Sequence, residues 1–264
     1  MIVGLVSNSR RDETRKVAHE VAVTMESRGL KVIQDWHEGD EVPDLLVVFG
    51  GDGTILGTAR RCGHLGIPLL TINLGRVGFL AELEVDELSR YLQRIIDQDY
   101  RLENRMMLRI TARRGERIIF QSEALNEATV LRQGIARMIR LQVLMDGKPL
   151  ARYVADGIIC ATPTGSTAYS LSAGGPVLMP DAQVMVLTPV CPYVPALKPL
   201  VMDANHSLSI IPETEKVVLT VDGQDTVTVS PGDEVEIGPS PYHISLVKLK
   251  ERSILEVLNR KLQL

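Results

Sequence analysis

The hydrophobic period changes partway along this chain, and that change constrains the fold more than any single motif. Over the first hundred residues, apolar runs of strand length alternate with segments of helical spacing. Ile2 to Ser7 reads as a strand, and Asp12 to Arg28 as a helix with Val17, Val21 and Met25 on one stripe and Gly29 as its stop. Leu30 to Gln34 and Leu45 to Phe49 read as further strands, and the segment after Gly53 as a helix to about Cys62. The run from Ile67 is a fourth strand, and Val85 to Gln98 a helix with Leu88, Leu92, Ile95 and Ile96 inward. Such alternation predicts a parallel sheet with helices on both faces.

From about Arg101 the runs shorten and alternate with a period of two. "RMMLRITARRGERIIFQSEALNEATVL" and "MIRLQVLMDGKPLARYVADGIICAT" are broken by Arg-Gly-Glu and Asp-Gly-Lys, which predicts antiparallel hairpins. "HSLSIIP", "KVVLTVDGQDTVTV" and "DEVEIG" continue the pattern. The expected architecture is an α/β domain with a Rossmann-like parallel sheet over residues 1–100, and a β-rich antiparallel domain over 101–247. The two join near Asp99 to Glu103 without a flexible linker.

Composition narrows the function classes. A chain of 264 residues with 45% hydrophobic residues can fill a real core and predicts a soluble globular protein. The formal charge of −4 announces no basic face for nucleic acid. Cys62, Cys160 and Cys191 lack metal-type spacing and are odd in number, so they read as small core residues in a reducing compartment. Val184 to Met202 is apolar, but Pro189, Pro192, Pro195, Pro199 and Lys198 rule out an ordinary spanning helix. No secretory or membrane segment is expected, and the five histidines form no metal-type pair.

Two stretches carry chemistry. The first is "LLVVFGGDGTILGTARRCG", where Gly50, Gly51, Asp52, Gly53 and Thr54 sit at a handover from strand to helix, the usual place for a ligand phosphate. The dinucleotide fingerprint starting at Gly51 would need glycine where Leu56 stands, and the chain contains neither Gly-Lys-Ser nor Gly-Lys-Thr, so neither familiar phosphate loop fits. A carboxylate among phosphate-binding glycines repels phosphate unless it binds a metal or accepts a proton from a hydroxyl being phosphorylated. Asp52 therefore points to transfer chemistry, against the plain alternative of an Asp-Gly turn.

The second stretch is "VADGIICATPTGSTAYSLSAGG". Thr162, Thr164, Ser166, Thr167 and Tyr169 place five hydroxyls within eight positions at the mouth of a strand. That pattern suits a flat polar ligand such as an adenine nucleoside, with Tyr169 for its apolar face. The plain alternative is a helix start capped by Thr164 or Ser166.

In order along the chain, "GGDGT", Asn126-Glu127, Asp156-Gly157, "TPTGSTAYSLSAGGP" and "VDGQ" at Val221 to Gln224 resemble the ATP-NAD kinase family, close to its bacterial members. "GGDGT" alone is weak, because lipid kinases of the diacylglycerol and sphingosine type carry it; the block after Asp156 is far more specific. The resemblance implies phosphoryl transfer from ATP, or in some members polyphosphate, to the 2′-hydroxyl of the adenosine ribose of NAD. It implies Asp52 as catalytic base and Gly50, Gly51, Gly53 and Thr54 as the phosphate loop. It further implies NAD contacts at Asp52, Gly53, Asn126, Glu127, Arg137, Asp156, Thr167, Ala168, Tyr169, Ser170, Leu171, Ser172 and Gln224.

The chemistry of these side chains agrees: Asn offers donor and acceptor to a base edge, and a carboxylate accepts from ribose hydroxyls. One departure stands out, since many members carry arginine two residues before the Asp156 position, where this chain has Val154. The resemblance also implies Mg²⁺ held mainly through nucleotide phosphates, with no protein ligand assigned. It implies a cytoplasmic homodimer or homotetramer, for which Val184 to Met202 is the candidate contact, and a segment from about 248 to 264 that returns to the first domain on Ile254, Leu255 and Leu258. The alternatives are a lipid kinase, which would call for a basic amphipathic segment that the balanced helices do not supply, and a non-enzymatic dinucleotide sensor, which would favour loss of Asp52.

Overall fold

In the computed structural model, which describes residues 1–7, 12–74, 78–134 and 137–251, the strands Leu45–Phe49 and Leu69–Asn73 are buried at every position. Burial on both faces is what a parallel strand covered by helices requires, and it explains their unbroken apolar composition. The parallel sheet runs in the order Lys31–Ile33, Ile2–Ser7, Leu45–Phe49, Leu69–Asn73. Outside Leu69–Asn73, the short strand Leu83–Glu84 pairs with Ile72 and Asn73, while Leu246 pairs with Leu69, both in parallel. The second strand is shorter than its apolar run suggests, and Asp35 beyond it has a φ of +49°.

One face of this sheet presents Val3, Leu5, Leu45, Val47, Phe49, Leu70 and Ile72 to two helices. The helix Asp12–Ser27 contributes Ala18, Val21, Ala22 and Met25, and the helix Leu88–Ile96 contributes Leu88, Leu92 and Ile95. Each such aliphatic side chain withdrawn from water contributes about 1.5–3 kcal/mol. Gly29, with a φ of +82°, ends the first helix as its sequence position suggests. The helix expected from Val85 instead opens with a 3₁₀ turn, Val85–Glu87, closed by a reciprocal capping box between Glu84 and Glu87.

By its contacts the chain forms two compact units, Met1–Asn104 with the residues from Ile244 on, and Arg105–His243. In the second unit a six-stranded antiparallel sheet runs in the order Leu200–Asp203, Val184–Val190, Gly157–Ala161, Glu127–Arg132, Val217–Val221, Asp225–Val229. A second set of antiparallel strands joins Lys148–Ala155, Ile139–Met145, Leu208–Pro212 and the first part of Glu234–Lys248. The hairpin of Arg101–Arg114 and Arg117–Ala124 is attached to that last strand. Both sets supply one core, in which Val130, Ile158, Cys160 and Leu187 meet Leu141, Val143, Ile210 and Val235.

Within the stretch Val184 to Met202, Val184–Val190 is an internal strand, Leu200–Asp203 an edge strand, and the connection between them exposes Tyr193 and Val194. Cys62 and Cys160 are buried, and burial pushes their thiols up to about 11 and about 12, but Cys191 is exposed and is no core residue. Its position one residue past an apolar strand end concealed this. The stripe of Ile254, Leu255 and Leu258 lies outside the described residues. No described helix is long and apolar enough to cross a membrane.

Candidate active site

In the first unit, the strand Leu45–Phe49 passes through Gly50 and Gly51 into the helix Asp52–Cys62, so Asp52 is the first helical residue. Gly50 donates its N–H to the Ile72 carbonyl of the neighbouring strand at 3.0 Å. A Cβ on Gly50 would lie 2.5 Å from Thr54 Oγ1, so only glycine lets the turn close over Thr54. Gly51 and Gly53 are exposed, and a Cβ at Gly51 would meet nothing within 4 Å.

The Asp52 carboxylate is oriented by residues that follow the neighbouring parallel strand Leu69–Asn73. Phe79 N–H donates to Oδ2 at 3.2 Å and Leu80 N–H to Oδ1 at 3.3 Å. A Cβ on Gly78 would stand 2.0 Å from Asp52 Oδ1, so glycine is required there by close approach. Each carboxylate oxygen has two lone pairs, and one bond to each leaves both oxygens able to accept another proton or hydrogen bond. Gly78, Phe79 and Leu80 lie outside the motifs read from the sequence. The available signal was a second pair of glycines, Gly75 and Gly78, following a second apolar strand.

Behind this turn is a buried network. Thr71 Oγ1 donates to the Leu80 carbonyl at 2.7 Å and accepts from Glu82 N–H at 3.0 Å. Glu82, 3% exposed, accepts from the Leu249 and Lys250 N–H groups at 2.8 Å and from Lys248 Nζ at 3.0 Å. One buried carboxylate thus joins the turn that holds Asp52 to the returning strand end, and Arg94 adds a bond to the Leu249 carbonyl at 2.9 Å.

In the second unit, three of the sequence blocks converge. Asn126 and Glu127 open the strand Glu127–Arg132 beside Ala161, whose strand leads into the Thr162 turn. Thr162 N–H donates to the Asn126 carbonyl at 2.8 Å and its hydroxyl to the Leu125 carbonyl at 2.6 Å. A Cβ on Gly165 would lie 2.2 Å from the Asn126 carbonyl oxygen, which explains glycine in "TPTG". Asp222, in the "VDGQ" turn with a φ of +48°, accepts from the N–H groups of Leu125, Asn126 and Glu127.

Glu127 is 7% exposed, and its Oε2 is buried without a hydrogen-bond partner among the described residues. Desolvation first, and the neighbouring Asp222 second, push its carboxyl up to about 8. It therefore enters neutral solution largely as a carboxylic acid, able to donate a hydrogen bond.

Most hydroxyls of the Thr-rich stretch turn out to be structural. Thr162 accepts from Gly165 N–H at 3.1 Å, Ser166 donates to the Pro163 carbonyl at 2.6 Å, and Thr164 accepts from the buried Arg105 at 3.2 Å. Neither Thr164 nor Ser166 makes a side-chain cap; the segment is a 3₁₀ turn, Gly165–Thr167, and one helical turn, Tyr169–Ser172. Ser170 faces inward against Thr188 Oγ1 at 2.9 Å, whereas Tyr169 is 40% exposed and Ser172 is exposed. Thr167, Ala168 and Leu171 are partly buried.

Asp156 pairs with Arg132 on the adjacent strand, Nε to Oδ1 at 2.8 Å, so a cation does stand beside it although Val154 supplies none. Arg137 and Gln224 are exposed, and Gln224 N–H donates to the Val221 carbonyl of its hairpin turn at 2.9 Å. Arg105, Arg132, Glu82 and Asp222 were not singled out in the sequence. Apart from the quoted "VDGQ", no local pattern marks them.

A glycine turn between strand and helix, with an acid at its mouth held by two backbone N–H groups, is the arrangement that transfer of a phosphoryl group to a hydroxyl calls for, and the class it points to is the phosphotransferases. Comparison with known proteins narrows this further. The ATP-NAD kinase N-terminal domain matches residues 35–100, and the ATP-NAD kinase C-terminal domain matches residues 125–249. An NAD kinase of Natranaerobius thermophilus is 36% identical, covering 98% of this chain and 97% of the relative. One of Carboxydothermus hydrogenoformans is 40% identical, covering 89% and 85%. Among solved structures, a yeast NADH kinase complexed with NADH superposes with a TM-score of 0.91 at 27% identity, over 100% of this chain and 87% of that one. An NAD kinase from Archaeoglobus fulgidus in complex with ATP gives 0.79 at 28% identity, over 100% and 99%. The chain belongs to the ATP-NAD kinase family.

Proposed function

We propose that this chain transfers the γ-phosphoryl group of ATP to the 2′-hydroxyl of the adenosine ribose of NAD, yielding NADP and ADP. The observation that carries the reading is Asp52, fixed by Phe79 and Leu80 N–H at the N-terminus of the helix that follows the glycine turn. As the ribose oxygen bonds to phosphorus and the β–γ bridging bond breaks with its electron pair leaving on ADP, the hydroxyl proton passes to Asp52. Carboxylates as a class are weak bases, so positioning supplies most of the rate. The family-level match to NAD kinases supports the substrate, and the ATP-bound archaeal relative supports the donor; inorganic polyphosphate is the donor to test beside it.

Asn126, Glu127, Asp156 and the stretch Thr167, Ala168, Tyr169, Ser170, Leu171, Ser172 are assigned to NAD, with Arg137 and Gln224 as outer contacts. With Ser170 Oγ bonded to Thr188, Ser170 contributes through its backbone. A divalent ion, Mg²⁺, is assigned to the nucleotide as MgATP. Among the described residues there is no group of three or more His, Cys, Asp or Glu, and a Mg²⁺ ion needs none when the nucleotide phosphates supply most of its ligands. The reading includes a cytoplasmic homodimer or homotetramer, with the exposed Tyr193 and Val194 as contacts; light scattering on the purified protein checks the subunit number.

The direct test incubates the protein with NAD, ATP and Mg²⁺ and follows NADP through an NADP-specific dehydrogenase, then repeats with NADH and with polyphosphate. Asp52→Asn keeps bulk and fold and binds NAD, but loses at least about a hundredfold in turnover, within the range for removing a general base. Undiminished turnover in that variant refutes Asp52 as the base.

A further inference from the structure

Asn126 and Glu127 have backbones that are held from two sides, and the two holds are unequal. On one side Thr162 takes the Leu125 and Asn126 carbonyls. On the other, a single buried carboxylate takes three consecutive N–H groups: Leu125 to Asp222 Oδ2 at 3.1 Å, then Asn126 and Glu127 to Oδ1 at 2.8 and 3.1 Å. Asp222 closes the ring by donating its own N–H to the Glu127 carbonyl at 2.9 Å. Both polar backbone atoms of Asn126 are therefore occupied, and its side chain is what can turn toward a ligand.

We infer that Asp222 is the positioning residue of the dinucleotide site: its carboxylate sets the backbone from which Asn126 and Glu127 reach NAD. The inference rests on the NAD-binding assignment of those two residues. The hydrogen-bond pattern gives Asp222 a task beyond filling a turn. A hairpin turn needs only the local bond from Gln224 N–H to the Val221 carbonyl, which the loop makes by itself. The three further bonds reach nearly a hundred residues back along the chain, to the adjoining strand end. Charged acceptors make stronger bonds to backbone N–H than neutral ones, so a carboxylate shared by three donors confines that backbone more tightly than water or a hydroxyl would.

Asp222→Asn is the informative variant. Asparagine tolerates the left-handed φ of +48°, so the turn is kept, but its amide has one acceptor oxygen and presents an NH₂ where a carboxylate oxygen took an N–H. Steady-state kinetics of wild type and variant, with NAD and ATP varied separately, are compared with amide hydrogen exchange at Leu125, Asn126 and Glu127. The expected result is a KM for NAD raised about tenfold, corresponding to one charged hydrogen bond, with the KM for ATP and kcat within about twofold and faster exchange at those three amides. A purely structural role would lower kcat through loss of active protein and leave the KM for NAD unmoved. Thr162→Val, which loosens the opposite side, raises the same KM in the same direction. An unchanged KM for NAD in Asp222→Asn, beside an active wild type, overturns this inference alone. A wild type that neither binds nor phosphorylates NAD overturns the kinase reading and this inference with it.

Discussion

Replacing Glu127 with glutamine tests the electrostatics of the Asn-Glu turn without reference to any ligand. The carboxyl ionises near 4.5 in the unfolded chain and is pushed up to about 8 in the fold by desolvation and by Asp222. Between those limits the folded protein holds a proton that the unfolded chain has released, so the neutral acid's full contribution to stability is present below about pH 4.5 and is lost as pH rises toward 8. One unit of pH in that window is worth about 1.4 kcal/mol. Glutamine is a near-isostere of the protonated acid and does not titrate. Urea midpoints for wild type and Glu127→Gln at pH 5.5, 6.5 and 7.5 should therefore diverge, the variant gaining on the wild type by about 3 kcal/mol over those two units. Titrating groups that do not interact with Glu127 cancel in the difference. Asp222→Asn should lower the pH at which wild-type behaviour turns over, because it removes the second cause of the upward push. A difference between Glu127→Gln and wild type that stays flat from pH 5.5 to 7.5 refutes the picture of a buried, protonated Glu127.

Other perturbations read different parts of the chain. Gly78→Ala puts a methyl group 2.0 Å from Asp52 Oδ1 and must displace the carboxylate or its turn, so turnover should fall about a hundredfold with little change in the melting temperature; near-normal turnover would show that the turn does not set Asp52. Glu82→Ala leaves the Leu249 and Lys250 N–H groups without their acceptor and Lys248 without its buried partner. A loss of about 3–5 kcal/mol in urea unfolding is expected, and less than about 1 kcal/mol would count against a buried staple. Thiol titration with a disulfide reagent at pH 8 should modify Cys191 rapidly in the native protein and Cys62 and Cys160 only after unfolding; rapid labelling of Cys191→Ser would contradict the burial of the other two.

Local pattern alone determined a good deal here. The unbroken apolar runs Leu45–Phe49 and Leu69–Asn73 are buried parallel strands, and the three-to-four spacing of Val21 and Met25 is the buried face of the first helix. Period-two runs after Arg101 are antiparallel strands. Glycine turns at strand ends marked Asp52 and the Thr-Pro-Thr-Gly turn as candidates, whereas Asn126 and Glu127 stood out only through the family resemblance of the blocks around them. The runs and turns were legible because each depends on residues within a few positions of one another.

Tertiary structure decided the rest. The Thr-rich stretch looked like a row of ligand-facing hydroxyls, yet Thr162, Ser166 and Ser170 spend theirs on buried backbone and side-chain partners, which depend on what strand lies behind them. Glu82 looked like any polar residue before a helix, and only the returning residues 248–250 make it a buried anchor. Asp222 sat in a turn motif whose quoted glutamine drew attention first, while its contacts to residues 125–127 gave it the greater task. Gly78 is obligatory only because Asp52 folds against it. In each case the deciding partner is distant in sequence. Hydrophobic period and turn chemistry report on neighbours along the chain, but the destination of a buried hydrogen bond is set only when separate strands pair in register.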